Sequence, residues 1–224
     1  NKMLNLNLIT ENQFSIASSN LKKLIINSSF TNESRYFSDW ILRRTAKNYS
    51  DSSDIFIKTT LDPKIQTIIE NSVSLVLENR TDLEAAVIVM NTSGAVIGML
   101  GGRSFHKSQF NRATQSLRQP GSVFKLFTYL AALELGMDAY DSIQDAPLDL
   151  DGWAPKNYNK KYKGFISLKE AFSISSNVAA IRLQEMSGRD NIIKWAKKLG
   201  VSSKLKPERS LSLGTQSVSL IEMT

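Results

Sequence analysis

The sequence has 224 residues, 28 of them Lys or Arg against 21 Asp or Glu, and a formal net charge of +7. Its length permits one large domain, or one and a half smaller ones, with a sizeable core. It contains no cysteine and a single histidine, His106. That excludes a disulfide scaffold, a cysteine nucleophile, most structural zinc sites and any multi-histidine metal centre. His106 is read as a surface loop residue, although a Ser-His-Asp triad would have to use it. The basic residues are scattered, densest at Arg43-Arg44, at Lys160-Lys161 with Lys163, and at Lys197-Lys198. No stripe interleaves them with aromatics, so nucleic acid is not expected as a partner. No signal peptide is evident. The most apolar stretch, Ala85 to Gly102, is broken by Asn91-Thr92-Ser93-Gly94, so no membrane span is expected in this chain.

From the N-terminus, residues 1 to about 50 read as helical and polar. Thr10 and Gln13 form a capping box ahead of Phe14 and Ile16, and Leu21, Leu24 and Ile25 continue the apolar stripe. A Ser/Thr/Asn loop, residues 27–34, leads to a second helix bearing Tyr36, Phe37, Trp40, Ile41 and Arg44. These helices are too thin for a core of their own and are read as a linker or packing arm, bounded by the loop 50–54. Ile55 to Thr60 alternates apolar and polar residues, which predicts a strand. Asp62 caps a helix with Pro63 at its first position, carrying Ile65, Ile68, Ile69, Val73, Val76 and Leu77. Ala85–Met90 and Ala95–Leu100, joined by Asn-Thr-Ser-Gly, predict a β-hairpin. Three strands are few for a sheet of this size, so further strands are expected beyond residue 224.

Residues 103–118 are polar and irregular. They end at Arg118-Gln119-Pro120-Gly121-Ser122-Val123-Phe124-Lys125. The Pro-Gly pair stops what precedes, and Ser122 stands at the mouth of an apolar-periodic helix running to Leu135 and closed by Gly136. Lys125 lies three places on, which on a helix is the same face, and the hydroxyl lies near the positive end of the helix dipole. An amine can thus activate a serine without histidine. Ser19/Lys22, Ser104/Lys107 and Ser203/Lys206 share the spacing but lack the turn before and the hydrophobic helix after. Residues 137–166 show no regular periodicity. A loop of that length is more often functional than filler. Ser167 with Glu170 predicts another capping box, Val178–Met186 and Asn191–Leu199 predict helices, and Ser219 with Glu222 predicts one more helix start. That helix would be cut at Thr224, a sign of truncation.

Ser122-Val123-Phe124-Lys125 followed by Ser175-Ser176-Asn177 resembles the first two of the three motifs Ser-x-x-Lys, Ser-x-Asn and Lys-Thr-Gly of penicillin-binding proteins and serine β-lactamases. Longer strings narrow the match. Thr59-Thr60-Leu61-Asp62, Phe110-Asn111-Arg112-Ala113, Arg118 to Ser122, Trp153-Ala154-Pro155-Lys156-Asn157-Tyr158 and Ser212-Leu213-Gly214-Thr215 are similar, in order, to blocks of the transpeptidase domain of class A, bifunctional penicillin-binding proteins. The resemblance implies an α+β fold of the penicillin-binding protein/serine β-lactamase type, an antiparallel sheet with helices, truncated at the C-terminus and preceded by a helical arm. It implies that residues 1–53 are a connector after a missing glycosyltransferase domain, and 54–224 the N-terminal portion of the transpeptidase domain.

The resemblance also implies roles. Ser122 is the nucleophile, Lys125 its base and Ser175 a proton relay. Asn177, with Gly121, Trp153 and Asn157, binds substrate. Peptidoglycan stem peptides and β-lactams are the expected partners, no cofactor is expected, and the membrane-anchored parent would work outside the cytoplasmic membrane. One departure stands out: neither Lys-Thr-Gly nor Lys-Ser-Gly occurs in the sequence. That strand would supply the second oxyanion donor, so the chain alone is expected not to cross-link peptidoglycan. Two alternatives are a catalytically incomplete fragment acting only as a penicillin-binding or sensor module or as a scaffold, and a serine β-lactamase. The second needs a deacylating glutamate, and Glu185, Glu208 and Glu222 all lack a Glu-x-x-Leu-Asn context.

Overall fold

The computed structural model describes residue 4, residues 9–15, 34–45 and 56–224. The stripe at Leu21, Leu24 and Ile25 and most of the loop 27–34 lie outside the described residues. The Thr10/Gln13 box is present: Thr10 N–H donates to Gln13 Oε1 (2.9 Å) and Gln13 N–H to Thr10 Oγ1 (3.3 Å).

One layer is built on the predicted hairpin, β1 (Val87–Met90) antiparallel to β2 (Val96–Leu100), with a bulge after Val89. Strand side chains alternate between faces. Val87 and Val89 pack with Ile65, Ile69 and Val73 of helix α2 (Pro63–Val76) on one face. Ile88 and Met90 meet Phe37, Trp40 and Ile41 of helix α1 (Arg35–Thr45) on the other. Of the two readings of the arm, α1 therefore takes the packing one. α2 starts as expected, Asp62 accepting from the N–H groups of Lys64 (2.8 Å) and Ile65 (3.3 Å) with Pro63 first in the helix. Its apolar stripe is wider than its contact: Ile68 and Val76 are exposed. Gln66 is buried instead, its side chain donating to Met99 O and accepting from Met99 N–H, both at 2.9 Å. It thereby pairs with β2 as a neighbouring strand would.

The strand expected at Ile55–Thr60 is a correction. Residues 56–60 are irregular, and Phe56 is 94% exposed. The contacts to β2 in this stretch are Thr60 Oγ1 to Val96 O (2.6 Å) and Asp62 N–H to Ile97 O (2.9 Å). Two isolated bonds do not make a ladder, so the alternation there has no partner to pair with.

The second layer is helical, around α3 (Lys125–Glu134). One side of α3 packs through Phe127 and Ala131 on Ile192 and Ala196 of α6 (Arg189–Lys198). The other packs through Tyr129 and Ala132 on Ala179, Ala180 and Leu183 of α5 (Asn177–Ser187). Behind it lies a second sheet that the sequence reading missed: β3 (Ser142–Asp145) antiparallel to β4 (Gly164–Ser167), inside the stretch read as irregular. Helix α4 (Leu168–Ser173) follows β4 directly. Only half of its expected capping box forms, because Ser167 Oγ accepts from Glu170 N–H (3.1 Å) while the Glu170 carboxylate turns to Lys163 Nζ (2.7 Å). The last box, Ser219/Glu222, is present at the start of α7 (Leu220–Met223). The fold is α+β; among the described residues the predicted helices stand in order, with two small antiparallel sheets in place of one.

Candidate active site

The site is assembled where α3, α4 and α5 begin or end. Pro120 and Gly121 break the chain, and Gly121 turns it at φ +58° into a short 3-10 turn, Gly121–Phe124, that runs on into α3. Ser122 is exposed on this turn, and Phe124 and Lys125 are buried behind it. Gly214 holds the turn from outside. Gly121 N–H donates to Gly214 O (3.1 Å), and Gly214 itself sits at φ +66° with its α-carbon against the Gly121 backbone, where a β-carbon would collide. Gly214 is in turn fixed by the 3-10 turn Leu211–Leu213. There buried Ser212 donates to Gln184 of α5 (2.8 Å) and accepts from Thr128 of α3 (2.8 Å).

Lys125, the first residue of α3, is 1% exposed. Its ammonium donates to Ser175 O (2.7 Å), Ser175 Oγ (3.0 Å) and Asn177 Oδ1 (2.7 Å). Among the described residues no carboxylate lies within ion-pair distance of it. Burial disfavours the charged form and pushes the amine from 10.5 down to about 8. The positive end of α3 acts in the same direction.

Ser175 reaches this position through the end of α4. Ser175 N–H bonds to Phe172 O and Ser176 N–H to Ala171 O, both at 3.0 Å, the paired bonds of a Schellman motif. The residue in the left-handed position of that motif is usually glycine; here it is Ser175, at φ +55°. Ser176 then caps α5, its Oγ accepting from Ala179 N–H (3.0 Å) and donating to Asp145 Oδ1 (2.7 Å). Asn177 opens α5, with Nδ2 donating to Lys156 O (2.9 Å).

A cavity of about 700 Å³ opens in front, lined by Ser122, Asn157, Tyr158, Lys161, Ser175 and Asn177 among others. The structure thus brings Ser122, Lys125, Ser175, Asn177 and Asn157 together. Trp153 does not join them. It exchanges two backbone hydrogen bonds with Leu150 (2.9 and 3.1 Å) across a turn at Asp151-Gly152, away from the cavity lining. Gly121 shapes the turn and spends its N–H on Gly214, so it offers substrate no free donor. Asn157 lines the cavity, but its side chain is committed to protein groups. The sequence reading missed Asp145, an acid in a four-residue strand, for which no sequence signal exists. Gly214 lies in the string Ser212-Leu213-Gly214-Thr215, but nothing in that string signals its contact with Gly121.

The cavity thus joins an exposed serine, Ser122, to a second serine and an asparagine that both accept from the buried Lys125 amine. Residues 85–214 match the penicillin binding protein transpeptidase domain. The chain belongs to that family. It is 40% identical over 142 residues to penicillin-binding protein 1A of Neisseria lactamica, covering 59% of this chain and 18% of that protein. The chain thus spans about a fifth of the length of the curated relatives it matches. Among solved structures it is similar to penicillin-binding protein 1A from Haemophilus influenzae, with 35% identity and a TM-score of 0.58 over 62% of this chain and 22% of that one. It is also similar to PonA1 from Mycobacterium tuberculosis, with 25% identity and a TM-score of 0.75 over 83% and 53% of the two chains.

Proposed function

We propose that this chain carries the acylation half of a D-Ala-D-Ala transpeptidase site that cross-links peptidoglycan stem peptides. The observation that carries the reading is Lys125: a buried amine with no carboxylate within ion-pair distance among the described residues, one helical turn from an exposed serine at the cavity. With the amine near 8, roughly a tenth of the molecules hold it neutral at pH 7, against about one in three thousand for an ordinary lysine. Neutral Lys125 takes the Ser122 proton as Oγ attacks the carbonyl between the two terminal D-alanines. Oγ–C forms, the C–N bond breaks, and D-alanine leaves with a proton relayed through Ser175 Oγ. An amine of a second stem then attacks the ester, forming the cross-link and returning the proton to Ser122. Asn177 holds the substrate backbone once substrate displaces one of its present contacts. The Ser122 N–H, in a first turn where amides lack helical partners, supplies one oxyanion donor.

In this reading β-lactams acylate Ser122 as substrate mimics. Residues 54–224 are the N-terminal portion of the transpeptidase domain, and residues 1–53 a connector from a glycosyltransferase domain. The parent protein is membrane-anchored and works outside the cytoplasmic membrane. Among the described residues no helix is long and apolar enough to cross a membrane. A β-lactamase reading has less support: no glutamate lines the cavity, and Glu185 and Glu222 are bonded elsewhere.

The test is intact-mass spectrometry of the 224-residue chain with benzylpenicillin. One adduct is expected, mapped to Ser122 and absent from Ser122→Ala and Lys125→Ala. Its formation should be slow, because a missing oxyanion donor costs about 10²–10³ in rate. An adduct that persists in Ser122→Ala, or none after prolonged incubation, overturns the assignment. Rapid labelling would overturn the expectation that the chain alone is impaired.

A further inference from the structure

Beneath the loop that holds Lys125 lies a buried polar cluster that plays no part in the chemistry above. Asp145, at the end of β3, is 1% exposed. Its Oδ1 accepts from Asn157 Nδ2 (2.7 Å) and Ser176 Oγ (2.7 Å), and its Oδ2 from Lys163 N–H (2.9 Å). Burial alone would raise this carboxyl, but these donors hold it below the ordinary carboxylate range. Among the described residues no cation lies within ion-pair distance of it. Asn157 is the next link. Its Nδ2 also donates to Lys161 O (2.9 Å), and its Oδ1 accepts from the N–H groups of Asn177 (2.9 Å) and Val178 (3.3 Å). Those are first-turn amides of α5, donors without helical partners. Both Asn157 donors and both acceptor positions are thus filled by the protein, which leaves none for a substrate.

We infer that Asn157, oriented by the buried Asp145 carboxylate, is a positioning residue. It locks the start of α5 so that Asn177 Oδ1 and Ser175 stay on Lys125 and keep water from the amine. The inference rests on the reading of Ser122 and Lys125 as nucleophile and base. The geometry makes one rigid unit. A carboxylate on a strand orients an amide, the amide grips two N–H groups at Asn177, and the same carboxylate holds Ser176, the N-cap of α5. Asn177 is clamped a second time by Lys156 O, the neighbour of Asn157 (2.9 Å). Among the described residues the other ionisable groups facing this unit are Tyr158, Lys161, Tyr162 and Lys163 on the cavity wall and Tyr129 on α3, whose hydroxyl burial and Asp145 push up.

The test uses the whole chain with isotope-labelled lysine, following the Lys125 titration by NMR and the pH profile of Ser122 acylation. Asn157→Leu is expected to move the Lys125 titration from about 8 towards the ordinary 10.5, as the loop lifts and water reaches the amine. The acid limb of acylation should follow, with at least about a tenfold loss at pH 7 from the smaller neutral fraction. Asp145→Asn should move the Lys125 titration in the same direction, because its amide offers one acceptor oxygen where Asn157, Ser176 and Lys163 now donate to two, whereas loss of the carboxylate's charge by itself would lower the amine. A Lys125 titration that is unmoved or lowered in both variants overturns the inference. If Asn157→Leu fails to fold, Asp145→Asn decides alone. If the unaltered chain is never acylated, the Ser122 reading fails, while the Lys125 titration still decides the positioning claim.

Discussion

At the scale of single residues, the site holds two side chains in costly places. Lys125 is an amine buried among neutral acceptors. Its folded value of about 8 lies below the 10.5 of the open chain. Between those values the unfolded state binds more protons than the folded one, so stability rises with pH through that window. Denaturant midpoints should therefore climb from pH 8 to 10.5 on account of Lys125, and that component should vanish in Lys125→Met; an identical slope in both proteins would count against the buried-amine account. Ser175 is the second case. It occupies the left-handed position of the motif ending α4, at φ +55°, where a non-glycine residue costs about 1–2 kcal/mol. Ser175→Gly should relieve about 1 kcal/mol of that strain in a denaturant melt, less what Lys125 loses with its Ser175 Oγ acceptor, and on the proposed mechanism it should slow acylation of Ser122.

At the scale of elements, what the sequence disclosed depended on whether the signal was local. The Asp62-Pro63 start of α2, the Ser219/Glu222 box and the glycine ends at Gly136 and Gly200 are set by neighbours within a turn, and they stand where the residues placed them. β3 and β4 escaped notice because each has four residues and their partners are each other, across a long loop. Residues 56–60 misled in the opposite sense, since alternation describes a strand's faces but not whether a neighbour exists to pair with it. Glu222 shows how far one local signal can understate its element. Beyond its box with Ser219, its carboxylate accepts from the N–H and hydroxyl of both Ser202 and Ser203 at 2.6–2.8 Å. Burial pushes this carboxyl up, but the donors from Ser202, Ser219 and Ser203 outweigh it and hold it at about 2, below the ordinary 4.5. A depressed carboxylate stabilises the fold above its unfolded value and loses that contribution as pH falls through the folded one. Thermal midpoints should therefore drop between pH 4.5 and 2, and Glu222→Gln should be less stable at pH 7 with a flatter acid limb. Superimposable acid curves would show that the clasp carries no stability.

At the scale of the whole molecule, the four residues Ser122, Lys125, Ser175 and Asn177 were legible as two motifs, and the fold brings them together at one cavity. What could not be read was the machinery between the motifs. Asp145 on a strand and Gly214 after a 3-10 turn act through contacts that no spacing encodes. Asn157 was expected to bind substrate, but its side chain is spent on protein groups, and Trp153, expected beside it, is bridged to Leu150 and does not line the cavity.

The backbone contact between Gly121 and Gly214 carries a consequence for the order of folding. The turn that carries Ser122 is completed by a residue far later in the chain, reached through Ser212 and Gln184. Contacts of such long separation form late, after local helices. A chain emerging from the ribosome therefore exposes Ser122 well before the buttress that shapes its turn exists. Ser122 acquires the geometry of its turn only when the helical layer has closed around it, so on the proposed mechanism acylation should require completed folding.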